Sequence, residues 1–440
     1  MQPLLQLIRR HKSGEAVGIY SVCSAHPWVL ESALMLAKTR HSAVLIEATS
    51  NQVNQFGGYT GMTPAQFRDA VWAQADRIGL SRDRVWLGGD HLGPNAWQDR
   101  SADEAMQLAE TLIHDYVSAG FRKIHLDCSM SCHGDPVPLS DTDVATRAAR
   151  LCAVAEKAWQ QAGGERPVYV IGTEVPVPGG AQEDMEGMQV TTPQAAATTL
   201  EIHQQAWRNA GLESVWERVI ALVVQPGVEF DHHSVVHYQP EKARALSQFI
   251  ESQSNMVYEA HSTDYQTPQA YCELVRDHFA ILKVGPALTF ALREALFALD
   301  RIDREWNGEL KAAHLRDTLE QVMREQPQQW SRYYHGSAHQ QYIDRQYSLS
   351  DRVRYYWPHP QVQQAVDLLI NNLRHHPVPV PMALLSQYLP EQAQALNAGT
   401  LGTDPQQWVL DKIQRVLLSY AVACEPDAEI TPSQPQGALA

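Results

Sequence analysis

The sequence lacks the features that mark a membrane or secreted protein. No apolar run reaches the roughly 18 residues that a membrane-spanning helix needs. Its first 12 residues form a short amphipathic segment that contains Arg9 and Arg10, unlike a signal peptide with a long apolar core. The 6 cysteines are scattered and include no C-x-x-C pair. In a chain of this size we interpret them as reduced thiols. We therefore expect a soluble, cytoplasmic protein.

Basic clusters are also missing. The chain has 35 Lys and Arg residues against 50 Asp and Glu residues, a formal net charge of -15, and no basic run is longer than a pair. Proteins bind nucleic acids and anionic membranes through basic patches. Neither is expected as a partner.

Several common enzyme motifs are absent. The chain has no G-x-x-x-x-G-K-[ST] loop for a nucleoside triphosphate, no G-x-S-x-G elbow and no H-E-x-x-H helix. It also has no G-x-G-x-x-G fingerprint after its first predicted strand. A P-loop kinase is therefore not expected.

What the sequence does contain is a regular alternation of strands and helices. Helix-start signals include capping boxes that begin at Thr63 and at Ser101, and a cap followed by proline at Thr192 and at Thr267. Continuous apolar strands are typical of parallel sheets that are covered on both faces. The predicted strands are residues 18–23, 43–48, 84–88, 123–127, 168–172, 218–224, 256–259 and 280–284. Eight such units predict an α/β fold, a (β/α)₈ TIM barrel, with a doubly wound open sheet as the alternative.

We predict three regions from these patterns. Residues 1–306 form the barrel, and residues 307–424 form a helical extension packed on the barrel or on a partner. The aromatic clusters of the extension, within 330–334 and 355–357, are interpreted as core. The remaining 16 residues, 425–440 (440 minus 424), have too little apolar surface to fold, so a flexible tail is expected.

The string GGDHLGPN at residues 88–95 follows the third predicted strand. Its first glycines let the backbone pass close to another group. Adjacent strand residues point to opposite faces, so Asp90 and His91 can both face a cavity only if the strand ends or bulges there. We expect Gly93 and Pro94 to supply this break.

Charged residues lie at or just after the carboxyl ends of six of the eight predicted strands. The carboxyl ends of TIM-barrel strands form the mouth in which active sites lie. Buried charges are costly unless they are paired or bind a ligand, so several of them on one rim predict a charged, polar mouth. They are Glu47, Asp90, Asp127, Glu174, Glu259 and Lys283.

A divalent metal ion is one ligand that the residues of this mouth are suited to bind. His91 and His261 offer imidazole nitrogens, and Glu174 and Gln225 offer oxygen donors. A hydroxy-ketone on such a metal has a polarised carbonyl, so C–C cleavage or C–H removal becomes feasible. Asp90 is then the proton-transfer group. Zinc or manganese is the candidate ion, although no motif requires a cofactor.

Glu47 is the second catalytic candidate. Other polar residues at the strand ends are candidates for binding a sugar or sugar phosphate. They are Ser24, Asn51, Asp127, Glu259, Ser262, Asp264 and Lys283.

The strand ends also carry long, specific strings. They are SVCSAHP at 21–27, IEATSNQVNQFGGYTGMTP at 46–64, GGDHLGPN at 88–95, IGTEVPVPGG at 171–180, VQPGVEFD at 224–231, EAHSTDYQ at 259–266 and KVGPALTFALRE at 283–294. Over residues 4 to 424 the sequence resembles the Z subunit of tagatose-1,6-bisphosphate aldolase, the GatZ/KbaZ family. Residues 19–23 and 126–130 look closer to the KbaZ branch, linked to N-acetylgalactosamine use, than to the galactitol branch.

This resemblance implies an accessory role. The Z subunit of that family pairs with a zinc-dependent class II Y subunit, which cleaves tagatose 1,6-bisphosphate to glycerone phosphate and glyceraldehyde 3-phosphate. The Z subunit supports the activity and stability of the Y subunit, in a chaperone-like way, without aldolase activity alone. The pathway is the degradation of D-tagatose 6-phosphate.

The resemblance also implies a diverged class II aldolase barrel. Asp90 and His91 match the base and the first zinc ligand, and His261 matches a later zinc histidine. Gln225 replaces another zinc histidine and is a poorer ligand. Residues 262–265 replace the glycine-rich phosphate loop and place a negative charge where a phosphate would bind.

The sequence therefore leads to two hypotheses about the function of the protein. The favoured one is an accessory subunit that acts through an interface with the Y subunit. The alternative is a stand-alone, metal-dependent ketose or ketose-phosphate epimerase, or a related aldolase-type enzyme, on the same barrel.

Overall fold

The computed structural model describes residues 2–172 and 188–425. Each predicted strand is present, and these strands form one closed parallel barrel, so the predicted TIM barrel is confirmed. A short antiparallel hairpin, β7 (Glu229–Phe230) with β8 (Val235–Val236), follows the sixth strand. The barrel strands are β1 (Ile19–Val22), β2 (Val44–Thr49), β3 (Val85–Leu92), β4 (Lys123–Leu126), β5 (Val168–Ile171), β6 (Val219–Val223), β9 (Val257–Ala260) and β10 (Ile281–Val284).

Helices connect these strands and cover the outside of the barrel. The side chains of Ser101, Thr192 and Thr267 accept backbone N–H groups of the first turn, and Thr63 forms the predicted capping box with Gln66. The capping box predicted at Ser101 is only half formed, since the Ser101 side chain accepts the N–H of Glu104 but the reciprocal bond from the Ser101 backbone N–H to the Glu104 side chain is not made. These helices are α2 (Pro27–Thr39), α3 (Pro64–Ile78), α4 (Ala102–Ser118), α5 (Asp141–Ala162), α6 (Pro193–Asn209), α7 (Pro240–Glu251), α8 (Pro268–Arg276) and α9 (Pro286–Asn307).

The amino-terminal helix α1 (Gln2–Lys12) closes the bottom of the barrel. Leu4, Leu7 and Ile8 on its apolar face are buried against residues at or near the starts of several strands, including Ile19 and Val168. The amphipathic pattern of this segment therefore reflects packing. Within the described ranges, no helix is long and apolar enough to cross a membrane.

The chain after α9 is helical and packs on the barrel. Its last helix lies against α2, α8 and α9, and the carbonyl of Cys424 accepts the backbone N–H of Gly18 at 2.9 Å. Apolar residues of the barrel and of this extension form one continuous core. The extension contains α10 (Leu315–Glu325), α11 (Ala338–Tyr347), α12 (Pro360–Arg374), α13 (Met382–Tyr388), α14 (Pro390–Asn397) and α15 (Pro405–Cys424). Almost all of the predicted tail, residues 426–440, lies outside the described residues.

Strand β3 runs beyond its predicted end at residue 88 and contains the expected irregularity. Its register against β4 shifts between Gly89 and Leu92, and His91 has a φ of 48°. A side chain at Gly88 would place its Cβ 2.5 Å from the Glu47 carboxylate. This bulge lets both Asp90 and His91 reach the same cavity.

Candidate active site

A cavity of about 470 Å³ opens at the carboxyl ends of the barrel strands. Most of the predicted site residues either line it or lie directly beneath it. Glu47, Asp127 and Glu259 lie beneath, where each binds a residue that lines the cavity. The predicted residues that line the cavity are Ser24, Asn51, Asp90, His91, His261, Ser262, Asp264 and Lys283.

A buried network of ion pairs, here called the ionic floor, consists of Glu47, Asp90, Lys123, Glu259 and Lys283. Lys123 Nζ donates to Glu47 Oε1 at 2.6 Å and lies 2.6 Å from Glu259 Oε2, and the side chains of all three are 0% exposed. Lys283 Nζ contacts Glu47 and lies 2.9 Å from Asp90 Oδ1 and 3.7 Å from Glu259 Oε1. The carboxylates therefore share two buried ammonium groups.

These contacts keep Asp90, Glu259 and the two lysines of the ionic floor charged. Burial alone would raise the pKa of Asp90 and of Glu259, but the ammonium groups hold both pKa values well below their usual range. Burial would likewise lower the pKa of Lys123 and of Lys283, but the carboxylates hold these pKa values above the ordinary one. Asp90 is therefore an ionised carboxylate at neutral pH.

Two histidines face each other above this floor. His91 Nδ1 lies 2.6 Å from Asp127 Oδ2, and His261 Nε2 lies 2.9 Å from Glu259 Oε1. The inner nitrogens, His91 Nε2 and His261 Nδ1, are 3.1 Å apart. Each ring is thus held on its outer side by a carboxylate, and its inner nitrogen faces the other ring.

Protonation of this pair is unequal. Burial would lower the pKa of His91, but Asp90 and Asp127 raise it above the ordinary value. Burial lowers the pKa of His261 to about 4. A protonated His91 can therefore donate from Nε2 to the neutral His261.

A third histidine, His125, completes the cluster. Its Nδ1 accepts the backbone N–H of His91 at 3.2 Å and lies 3.2 Å from Asp90 Oδ1, and its Nε2 lies 3.0 Å from the carbonyl of Gly172. Sequence reasoning missed His125 because it was limited to residues at the strand ends. Alternation along β4 was the available signal, since it places Lys123, His125 and Asp127 on one face.

The inner nitrogens fit a divalent metal. Asp90, His91, His125 and His261 each place a possible ligand atom within 4.8 Å of the others. A carboxylate on the outer nitrogen of a metal-binding histidine is a common arrangement that fixes the ring. When His91 is neutral, as a metal ligand must be, Asp127 and the three carboxylates of the ionic floor exceed its two lysines by two negative charges (four minus two), the charge of a divalent cation. His91 and His261 would hold the ion, with Asp90 and His125 beside it.

Gln225, a predicted oxygen donor to the metal, is engaged elsewhere. Its side-chain oxygen accepts the backbone N–H groups of Gly227 at 2.8 Å and Val228 at 3.0 Å, and it does not line the cavity. Side-chain direction in a loop could not be read from its place after a strand. Glu174, the other predicted oxygen donor, lies outside the described residues and stays a prediction.

Asp264 occupies the start of α9. Its Oδ1 accepts the backbone N–H groups of Gly285 at 3.0 Å and Ala287 at 2.8 Å. Unpaired N–H groups at a helix start are a usual place for a phosphate. Here a carboxylate takes that position, in agreement with the negative charge noted in the sequence.

We expect Asp264→Asn to stabilise the fold at alkaline pH. Burial raises the pKa of this carboxyl from 3.8 to about 6, so the native chain holds the proton more tightly than the unfolded chain. The stability that this group contributes is therefore full below about pH 4 and is lost as the pH rises through about 6. Asparagine keeps the oxygen acceptor without the charge.

Urea unfolding of both proteins at about pH 5 and about pH 8 measures this effect. We expect Asp264→Asn to unfold with a free energy on the order of 2 kcal/mol higher at pH 8, and with a smaller gain at pH 5. An equal effect at both pH values would contradict the assignment.

Residues of the extension also line the cavity. Arg354, Tyr355 and Trp357 belong to its wall, and the ring centroids of Tyr355 and Tyr59 are 4.9 Å apart. The prediction that the aromatic clusters are core is confirmed for Trp330, Tyr334, Tyr356 and Trp357, which are buried in the main apolar core. It did not include the second place of Tyr355 and Trp357, which also line the cavity.

Comparison with known proteins places the chain in a family. Residues 4–425 match the profile described as D-tagatose-1,6-bisphosphate aldolase subunit GatZ/KbaZ-like. The structure is similar to that of a probable tagatose 6 phosphate kinase from Sinorhizobium meliloti 1021, with 48% identity, a TM-score of 0.85, and coverage of 92% of this chain and 100% of that chain.

Two further structures show weaker similarity. Fructuronate-tagaturonate epimerase UxaE from Cohnella laeviribosi has 12% identity, a TM-score of 0.47, and coverage of 93% of this chain and 82% of its own. The YdjI aldolase from Escherichia coli K12 has 12% identity, a TM-score of 0.43, and coverage of 84% and 98%. Similarity at this level supports no inference about activity. The match over residues 4–425 and the identity with the Sinorhizobium protein agree with the resemblance noted in the sequence: the chain belongs to the GatZ/KbaZ-like family of tagatose-1,6-bisphosphate aldolase subunits.

Proposed function

We propose that the barrel catalyses a metal-assisted reaction on a ketose or ketose phosphate, either epimerisation or reversible aldol cleavage. The observation that supports this most directly is the pair of facing nitrogens, His91 Nε2 and His261 Nδ1, 3.1 Å apart. Each ring is fixed by a carboxylate, and Asp90 lies beside the pair. This arrangement suits a cation and a proton acceptor better than it suits a packed core.

The residues of the cavity have separate roles in the proposed reaction. A divalent ion held by the histidines would polarise the ketose carbonyl. Asp90 takes the proton from the substrate hydroxyl or carbon, since it is ionised and lines the cavity. Lys283 also lines the cavity; two of its three N–H donors contact Glu47 and Asp90, and the third can donate to a developing oxyanion. Glu47 does not line the cavity, so we assign it a positioning role through Lys283.

Metal analysis and sugar assays test this proposal. We expect the purified chain to bind about one zinc or manganese ion, and His261→Ala to lose most of it because one nitrogen of the pair is gone. Epimerisation and cleavage of D-tagatose 6-phosphate and related ketoses are then followed with and without a chelator. Absence of stoichiometric metal, together with turnover that a chelator leaves unchanged, would refute the proposal.

The second candidate function is the accessory one, which the family description supports because it names a subunit. In this role the chain binds a catalytic class II Y subunit in the cytoplasm and supports its activity and stability in D-tagatose 6-phosphate degradation. The occupied α9 start, with Asp264 in the place of a phosphate, favours it over independent cleavage of a bisphosphate. Membership of the KbaZ branch stays a prediction.

Co-expression tests the accessory role. The half-life and turnover of the Y subunit are compared with and without this chain, and we expect both to rise when it is present. A purified chain that cleaves tagatose 1,6-bisphosphate alone as fast as the mixture would refute this role. Epimerase activity of the purified chain would leave both roles standing, since one barrel can support each.

A further inference from the structure

Arg354 is the cation of the cavity that makes no direct ion pair with a carboxylate of the described ranges. Lys283 and Arg354 are the Lys and Arg residues that line the cavity. Lys283 is surrounded by Glu47, Asp90 and Glu259. No carboxylate of the described residues forms an ion pair with Arg354. The carboxylates of Asp264 and Asp351 act on its charge from beyond ion-pair distance, so the guanidinium can still bind an anionic ligand directly.

The contacts of Arg354 fix the side chain and leave donors free. Nη1 donates to the carbonyls of Ser350 and of Asp351, the latter at 3.1 Å, and Nη2 donates to the Tyr355 hydroxyl at 3.1 Å. The guanidinium also lies 4.6 Å from the centroid of the Tyr355 ring. Arginine has five N–H donors. The Nε–H and one N–H of Nη2 have no partner within the described part of the chain, and these two form one edge of the fork that binds phosphate bidentately.

The start of α9, where a phosphate would usually bind, is occupied by a carboxylate. Asp264 already accepts the free N–H groups at the start of α9. A ligand with an anionic end therefore meets a negative charge there and a positive charge at Arg354, which the extension supplies.

We propose that Arg354 binds the phosphate of a ketose phosphate and so sets the specificity of the barrel for phosphorylated sugars. This inference rests on the proposed function, because it takes the ligand of the cavity to be a ketose. The metal side of the cavity then receives the carbonyl end of the sugar, and Arg354 receives the phosphate end. The extension is thereby part of the binding site as well as a cover for the barrel.

Binding measurements on the full chain test the proposal. Calorimetric titration compares D-tagatose 6-phosphate with D-tagatose on the wild type and on Arg354→Gln. We expect the wild type to bind the phosphate ester at least about 10-fold more tightly than the free sugar. Arg354→Gln should weaken the phosphate ester about 10- to 100-fold and leave the free sugar unchanged. An unchanged difference between the two ligands in the variant would overturn the proposal.

Two variants complete the design. Arg332, an exposed arginine of the same extension that does not line the cavity, is the matched control, and Arg332→Met should change neither affinity. Arg354→Lys keeps the charge without the fork and should weaken the phosphate ester roughly 3- to 10-fold. If Arg354→Gln does not fold, the affinity of Arg354→Lys for the phosphate ester is the test of the proposal. Wild-type affinity for the phosphate ester in Arg354→Lys would overturn it.

Other outcomes separate this inference from the proposed function. Binding that depends on Arg354, without turnover of any ketose, supports the inference and contradicts the proposed chemistry. Turnover of phosphorylated ketoses with a KM that Arg354→Gln leaves unchanged supports the chemistry and overturns the inference. D-tagaturonate serves as a carboxylate probe, and tighter Arg354-dependent binding of this sugar acid than of the phosphate ester would overturn the choice of phosphate.

Discussion

Asp90→Asn is expected to reduce ketose turnover by at least about 100-fold, because general-base catalysis typically contributes a factor of 10² to 10⁴. The carboxylate lies 2.9 Å from Lys283 Nζ and lines the cavity beside His91 and His261. Asparagine has nearly the same shape but cannot accept a proton at neutral pH. The measurement is kcat and KM for epimerisation or cleavage of D-tagatose 6-phosphate by the metal-loaded chain. We expect the loss mainly in kcat, since the substitution removes proton transfer while the remaining lining residues stay in place.

The control for Asp90→Asn lies on the rim of the same cavity. Asp367 is exposed and also lines the cavity, but it does not belong to the group formed by Asp90, His91, His125 and His261, so Asp367→Asn removes a carboxylate outside that group. It should change kcat by less than about twofold, as expected for a surface substitution. Metal content is measured on both variants, because Asp90 also stands beside the proposed ion. A variant Asp90→Asn that keeps its metal and wild-type turnover would remove Asp90 from the mechanism.

The barrel could be predicted because its strands have a strong local signal. Runs such as residues 168–171 and 219–224 are continuously apolar, as expected for strands that are buried on both faces. Caps such as the one at Thr63 mark the helix starts through short-range hydrogen bonds that depend on a few neighbouring residues. Both signals lie within a few positions of the element that they specify.

The site was only partly predictable, because it depends on contacts between distant segments. The alternation of β3 showed that Asp90 and His91 required a bulge in order to share a cavity, and the bulge is present. Arg354 lines the cavity although it lies about 70 residues beyond the last barrel strand (354 minus 284). No local sequence pattern predicts that it is part of the site. Gln225 was assigned to the site by its place after a strand, yet its own loop holds the side chain.

Lys123→Met is expected to cause a large loss of folding stability. Lys123 is fully buried, and its ammonium group lies 2.6 Å from both Glu47 and Glu259. Removing one partner of a buried ion pair leaves an uncompensated charge and typically costs about 3–5 kcal/mol. Lys283 compensates in part because it also contacts both carboxylates, so we expect a loss near the lower end of this range.

Guanidinium unfolding of the wild type and Lys123→Met measures the loss directly. Lys157, an exposed lysine of α5, provides the control, and Lys157→Met should change the free energy of unfolding by less than about 0.5 kcal/mol. Adding Glu259→Gln to Lys123→Met removes one of the stranded charges, so the double variant should regain part of the stability that the single variant loses. A loss below about 1 kcal/mol in Lys123→Met would show that the ionic floor is not held together by this lysine, and that water or a bound cation compensates its carboxylates instead.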